Sequence, residues 1–278
     1  MKCAWKELLS VLPQEIRLDV DMLGRDTLQE LRLRQGKPVE LVRGNGQILL
    51  KHVTRQEDLQ YIVNTASRYS PWAARTVKDG YITVSGGHRI GLCGECVMSD
   101  GSMTGLRNIT SLCVRVARDF QGIANGIGPT GSCLIIGPPG AGKTTLLRDL
   151  IRVISERDCI TVVDERGELF PTNSCFIMGL RTDVLTGSTK PHGIITALRT
   201  MGPKWIAVDE ITAAEDCEAL LHACWCGVCV LATAHAADKR DLISRNIYKP
   251  LVQSNVFDWL IIIQQDKSWR MERMGAEV

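Results

Sequence analysis

The stretch Gly137 to Thr145, GPPGAGKTT, follows the apolar run SCLIIG (132–137) and opens the helix-compatible segment KTTLLRDLIRVIS (143–155). Strand, glycine loop and helix in that order are the setting of a P-loop. Glycines let backbone amides crowd around phosphate oxygens, and the new helix points its positive end at them. Gly137, Pro138, Pro139, Gly140, Ala141, Gly142, Lys143, Thr144 and Thr145 are therefore read as a cradle for the phosphates of ATP. Lys143 would reach the β- and γ-phosphates, and the Thr144 hydroxyl would lie on Mg²⁺. A glycine-rich turn that binds nothing accounts for neither the apolar strand before it nor the lysine within it.

Outward from this loop, candidate strands at 132–137, 159–165, 205–210, 228–234 and 259–265 alternate with helical segments near 143–156, 192–201, 213–224 and 238–246. Short apolar strands alternating with helices predict an α/β domain with a mostly parallel sheet covered on both faces. Four strands run directly into chemically able residues: Gly137, Asp164-Glu165, Asp209-Glu210 and Thr233-Ala234-His235. Ligands of open α/β sheets bind beyond the carboxyl ends of the strands, so all four ends are expected at one crevice.

WIAVDE (205–210) reads as a Walker B strand, with Asp209 holding the metal and Glu210 orienting or deprotonating an attacking water. Binding alone requires no second acid, so Glu210 favours hydrolysis over a helix-capping role. In VVDERGEL (162–169), Asp164 and Glu165 could polarise water, take a metal, or pair with Arg166 as a structural salt bridge. His235 is placed to sense the γ-phosphate, the alternative being a structural histidine. Phosphoryl transfer needs positive charge on the phosphate oxygens. Arg107, Arg115, Arg118, Arg181 and Arg199 are candidates, and no spacing rule selects among them.

The 278 residues allow about two domains. Residues 121–131, QGIANGIGPTG, read as a linker between an N-terminal domain (1–120) and the P-loop domain (132–278). The first domain mixes an amphipathic segment (4–12), strand-like LQELRLRQ, PVELVR and QILLKHV, a helix-compatible stretch at 55–78, and β-like sequence at 81–101 and 111–120. No apolar run reaches the roughly 18 residues of a membrane helix, and the N-terminus does not read as a secretory signal, so a cytosolic protein is expected. Net charge is +2, with 17 Lys and Arg against 13 Asp and Glu in residues 1–130. That bias is mild, and aromatics at 5% offer no stacking groove, so no stable nucleic-acid partner is expected. The eleven cysteines suggest neither a disulfide framework nor a standard zinc pattern, and Cys93/Cys96 and Cys224/Cys226/Cys229 are read as packing residues.

Walker A at 137–144, VVDERGE, Walker B at 205–210 and ATAHA at 232–236 together resemble the secretion (traffic) ATPase superfamily over residues 107–265. Within it, ELRLRQGKPVEL, GGHRIGLCGE, GLRNITSLCVRVARD, RTDVLTG, ALRTMGPKWIAVDEI and VLATAHA resemble the stage III sporulation protein AA family. The resemblance implies a RecA-like P-loop ATPase domain preceded by a smaller α/β domain and assembled as a ring, a hexamer as in the superfamily. It implies an ATPase using ATP and Mg²⁺ at the cytoplasmic side of the membranes around a forespore. Its partners would be the membrane components of a secretion-like channel. In the superfamily, arginines of the preceding domain and linking strand reach nucleotide, and Arg107, Arg115 and Arg118 lie in the matching region. Two features depart from the superfamily pattern: VVDERGE replaces an IEDP-like aspartate box, and the C-terminal tetracysteine motif is absent. RecA-like domains also serve nucleic-acid motors and non-hydrolysing switches, and both remain alternatives.

Overall fold

Leucines at alternate positions of LQELRLR set one face of the first sheet: Leu31 and Leu33 are buried while Arg34 faces out. This strand, β1 (Leu28–Arg34), follows two short helices, α1 (Trp5–Ser10) and α2 (Gln14–Gly24). After it come β2 (Pro38–Arg43), β3 (Gly46–Val53), α3 (Gln56–Arg68), β4 (Tyr81–Thr83), β5 (Arg89–Ser99) and β6 (Ser102–Arg115). The six strands pair antiparallel in the order β3-β2-β1-β6-β5-β4. Leu8, Ile16 and Val20 of the first helices and Leu59 and Ile62 of α3 close one core with the inward strand residues. Period-2 burial on strands and period-3.6 burial on helices make that core possible. The computed structural model describes residues 1–68, 80–99, 101–171 and 174–275, so the end of the helix-compatible stretch, 69–78, lies outside the described residues.

These elements form a unit of Met1–Asp119 with Pro171–Phe176, and a second unit comprises Phe120–Phe170 with Ile177–Val278. Pro171–Phe176 groups with the first unit although it lies within the sequence span of the second. Gly87, at φ 82°, explains the close packing there, since a Cβ on it would lie 3.0 Å from Pro171.

His88 holds the start of the chain within the first unit. It is fully buried; its Nδ1 accepts from the Ala117 amide at 3.1 Å, so Nε2 carries the proton and donates to the Ala4 carbonyl at 2.8 Å. Burial pushes its pKa below the ordinary histidine value, with the Ala4 bond opposing. Folding therefore favours the neutral ring. The stabilisation is full above the unfolded-state value of about 6.5 and is lost as pH falls from there through the lower folded value. Between pH 7.5 and 5 the melting temperature of the wild type is expected to fall more steeply than that of His88→Phe. Parallel melting curves against pH would overturn this clasp.

The second unit builds one seven-stranded sheet. Its elements are β7 (Cys133–Ile136), α4 (Lys143–Ser155), β8 (Ile160–Asp164), β9 (Thr182–Thr186), α5 (Lys190–Thr200), β10 (Trp205–Val208) and α6 (Ala214–Trp225). They continue with β11 (Cys229–Ala234), α7 (Lys239–Ser244), α8 (Lys249–Gln253), β12 (Trp259–Ile263) and β13 (Trp269–Arg273). The order is β13-β12-β7-β11-β10-β8-β9, parallel throughout except for the edge strand β13. Alternate residues of each central strand enter different cores: Leu134, Ile206 and Val230 pack with α5 and α6, while Ile135, Ala207 and Leu231 pack with α4. Burial on both faces is why these strands read as unbroken apolar runs. The edge strands β9 and β13 carry mixed, half-exposed sequence, TDVLT and WRMER, and did not register as strands in the sequence for that reason.

All eleven cysteines are free thiols. Of the five read as packing residues, Cys224 and Cys229 are half-buried, whereas Cys93, Cys96 and Cys226 are exposed and do not pack in a core. Among the described residues no group of three or more His, Cys, Asp or Glu has the arrangement to hold a metal, and no helix is long and apolar enough to cross a membrane.

Candidate active site

Beyond β7 the chain must turn tightly against β12, and Gly137 makes this possible: a Cβ there would lie 2.6 Å from the Ile263 carbonyl oxygen. Pro139 and Gly140 form an exposed tip, and Gly142, at φ 102°, is the left-handed residue preceding α4. No side chain caps that helix, so its first amides point into the loop, an arrangement suited to an anion. Lys143 is 7% exposed; its ammonium donates to the carbonyls of Gly137 (2.9 Å) and Pro138 (3.0 Å) and lies 3.1 Å from His235 Nδ1. Burial lowers its pKa, and the nearby carboxylates of Asp209 and Glu210 act in the opposite direction.

His235 leads from the lysine to the acids. With Nδ1 accepting from Lys143, Nε2 carries the proton and faces Glu210 Oε1 at 3.0 Å. Asp209 accepts from the Thr144 hydroxyl at 2.8 Å and from the Thr233 hydroxyl at 2.6 Å. Burial raises its pKa, the two hydroxyl bonds opposing. Thr233 Oγ1 in turn accepts from the Glu210 amide at 2.7 Å. That bond helps hold Glu210 at φ 57°, a left-handed conformation costing a side-chain-bearing residue about 1–2 kcal/mol.

The second acid pair divides. Asp164 accepts from three amides of its own loop, Glu168 (2.9 Å), Leu169 (3.0 Å) and Phe170 (2.9 Å), and so shapes the turn that follows β8. Burial raises its pKa against those three bonds. Glu165 instead bonds Lys190 at 2.7 Å, and Lys190, 5% exposed, is also 3.7 Å from Asp216. The salt bridge considered between this pair and Arg166 is not formed: Arg166 reaches across to Glu210 Oε2 at 3.1 Å. A cavity of about 20 Å³ lies between the two loops, lined by five acids, from Asp164 to Glu168 on one and Asp209–Glu210 on the other, and by Arg166 and Lys190. It has room for about one water.

Lys143, Thr144, Asp164, Glu165, Asp209, Glu210 and His235 therefore gather at neighbouring strand ends, and the candidate arginines of the same unit, Arg181 and Arg199, do not. Arg199 is exposed on the last turn of α5, about 13 Å along the axis from Lys190. Arg181 is bonded to the carbonyls of Ser155 and Glu156. In the first unit Arg107 pairs with Glu95 at 3.0 Å, Arg118 bonds the Arg25 carbonyl at 2.7 Å, and Arg115 ends β6 opposite Glu30 and Arg89. Four contributors escaped the sequence reading: Thr233 as a ligand of Asp209, Arg166 as the partner of Glu210, Lys190, and Lys267, whose ammonium bonds the Gly140 carbonyl at 2.6 Å. Thr233 lies in a strand end named from the sequence, but its partner emerges only from the register. Pairing of Val208 with Ala232 puts the next residues, Asp209 and Thr233, side by side.

Chemically, the loop, the helix start and Lys143 suit phosphate oxygens. Thr144 and Asp209 offer hard oxygen donors 2.8 Å apart, the type Mg²⁺ prefers, and a cation there would offset the burial that raises the Asp209 pKa.

Residues 4–273 match the family described as Sporulation stage III, protein AA. The Stage III sporulation protein AA of Bacillus subtilis strain 168 is 36% identical over 283 residues, covering 94% of this chain and 91% of that protein. Among solved structures, the ATPase DotB of Yersinia pseudotuberculosis is similar at a TM-score of 0.63 and 16% identity, over 95% of this chain and 80% of that one. The pilus retraction motor PilT with bound ADP is similar at 0.60 and 20% identity, over 89% and 76%. These two likenesses establish the RecA-like α/β fold.

Proposed function

This chain belongs to the Sporulation stage III, protein AA, family, and we propose that it is an ATP-hydrolysing motor of the secretion-ATPase kind that powers or assembles a channel between mother cell and forespore. The observation that carries the reading is the unbroken chain of contacts from Lys143 through His235 to Glu210, beside Asp209 and Thr144. A phosphate-binding module needs only the first and last of these parts. A proton acceptor linked to the phosphate-binding lysine is what hydrolysis adds.

In this reading the amides at the start of α4 and Lys143 grip the β- and γ-phosphates. Thr144 and Asp209 would hold Mg²⁺, which when bound would draw charge from the phosphate oxygens. Glu210 orients the attacking water and takes its proton. His235, donating to Glu210 and accepting from Lys143, reports the γ-phosphate to the general base. Asp164 fixes the loop that carries Glu165, and Glu165, tethered by Lys190, helps order water in the cavity. The chain acts as a ring, with arginines of the first unit, Arg107 and Arg115, serving nucleotide sites of the assembly. Its membrane partners are the components of the channel, approached from the cytoplasmic side.

The test is steady-state ATP turnover per subunit across a range of protein concentrations, with Glu210→Gln as control. Turnover rising with concentration and absent from the variant is the expected result, because a shared site is completed only on assembly. A concentration-independent rate would defeat the ring. No turnover at any concentration, with ATP still bound, would leave a non-hydrolysing switch.

A further inference from the structure

Five carboxylates line the small cavity at these strand ends, and the geometry points to Arg166 as the cation that offsets them when phosphate approaches: we propose that it is a catalytic residue acting on the γ-phosphate of its own subunit. The assignment rests on the ATPase reading above. Two cations line the cavity. Lys190 has a side chain only 6% exposed and is held by Glu165 at 2.7 Å and Asp216 at 3.7 Å, so turning it to a substrate would strand two acids. Arg166 has a side chain 53% exposed and one ion pair, with Glu210 at 3.1 Å. An ion pair of that exposure contributes little, so exchanging it for a phosphate meets little resistance.

Position supports the same assignment. Arg166 touches one oxygen of Glu210, His235 touches the other, and His235 touches Lys143, the residue that grips the terminal phosphates. The guanidinium thus borders the place where water meets the γ-phosphorus. Its planar fork suits phosphate oxygens better than a lysine would. Arg181 and Arg199, the other arginines of the same unit singled out from the sequence, lie away from these strand ends.

In the reaction, water oxygen bonds to the γ-phosphorus as the bond to the β–γ bridging oxygen breaks, and ADP leaves with the electron pair. Glu210 receives the water's proton. Arg166 leaves Glu210 and donates to the γ-phosphoryl oxygens, where it offsets the negative charge of the transition state, and its departure frees the Glu210 oxygen that must accept the proton. Both effects fall on kcat rather than on ground-state binding.

The experiment uses the full chain with Arg166→Ala and Arg166→Lys. Turnover at saturating Mg-ATP, affinity for a fluorescent ATP analogue and melting temperature are measured for each. The expected result is a loss of about a hundredfold in kcat, smaller than the 10³–10⁵ of fully enclosed arginines because this one is half exposed, with affinity changed less than about threefold. Lysine should restore little of the rate. Mixing Arg166→Ala with Lys143→Ala should recover no activity, since neither chain then owns a complete site. Recovery on mixing would mean that Arg166 serves a neighbour, and would overturn the assignment. Unchanged or faster turnover in Arg166→Ala, beside an active wild type, would also overturn it and leave Arg166 as a mere clasp on Glu210. A wild type that binds ATP without turnover would instead defeat the ATPase reading itself.

Discussion

Glu210→Gln is expected to bind ATP as the wild type does and to hydrolyse it about 10²–10⁴-fold more slowly. Glutamine keeps the length and shape of the side chain and can still accept one hydrogen bond, but it cannot take a proton. In the resting structure both Glu210 oxygens accept, one from His235 at 3.0 Å and one from Arg166 at 3.1 Å, so the amide must turn its NH₂ against one of these donors. The loss in stability should nevertheless be small, because the Arg166 pair is half exposed and screened. The left-handed backbone at φ 57° costs glutamine as much as glutamate, so strain does not change. Phosphate release and nucleotide affinity, measured side by side, decide the matter. Turnover within about threefold of wild type would remove Glu210 from the role of general base.

Lys143→Ala is expected to fail earlier, at binding. A charge-assisted hydrogen bond to phosphate is worth about 1.5–3 kcal/mol, which corresponds to roughly 10–100-fold in affinity. Removing a donor to the transferring group should cost about 10²–10³ more in turnover. The resting contacts show why the lysine is poised for this. Its ammonium is buried against two loop carbonyls and a neutral histidine, which do not neutralise it, and burial lowers its pKa. A polyphosphate supplies the missing negative charge and favours the charged form, as Asp209 and Glu210 already do. The two variants should therefore separate cleanly: Glu210→Gln holds nucleotide and does not cut it, whereas Lys143→Ala scarcely holds it. Unchanged affinity in Lys143→Ala would sink the P-loop reading altogether.

Several features of the sheet were legible because their causes are local. The runs CLII, ITVV and WIAV are buried on both faces, and continuous burial leaves a nearly continuous apolar signature. TDVLT and WRMER, at or next to open water, carry no such signature and emerged only with the sheet order. For Asp164 the strand end was legible and the role was not. Its carboxylate could as well have faced a substrate, and only the folded turn sets it against the amides of Glu168, Leu169 and Phe170.

The sequence by itself determined the P-loop, the placing of Asp164, Asp209, Glu210 and His235 at strand ends, and the family. The first two follow from backbone conformation and burial pattern within a few neighbouring residues, and the family from the resemblance of motifs spread along the chain. The tertiary structure alone decided which side chains meet: Lys143 with His235 across 92 residues, Arg166 with Glu210 across 44, and Glu165 with Lys190 across 25. Ion pairs and hydrogen bonds act over about 3 Å in space, and spacing along the chain does not encode that distance until parallel register has brought the strand ends together.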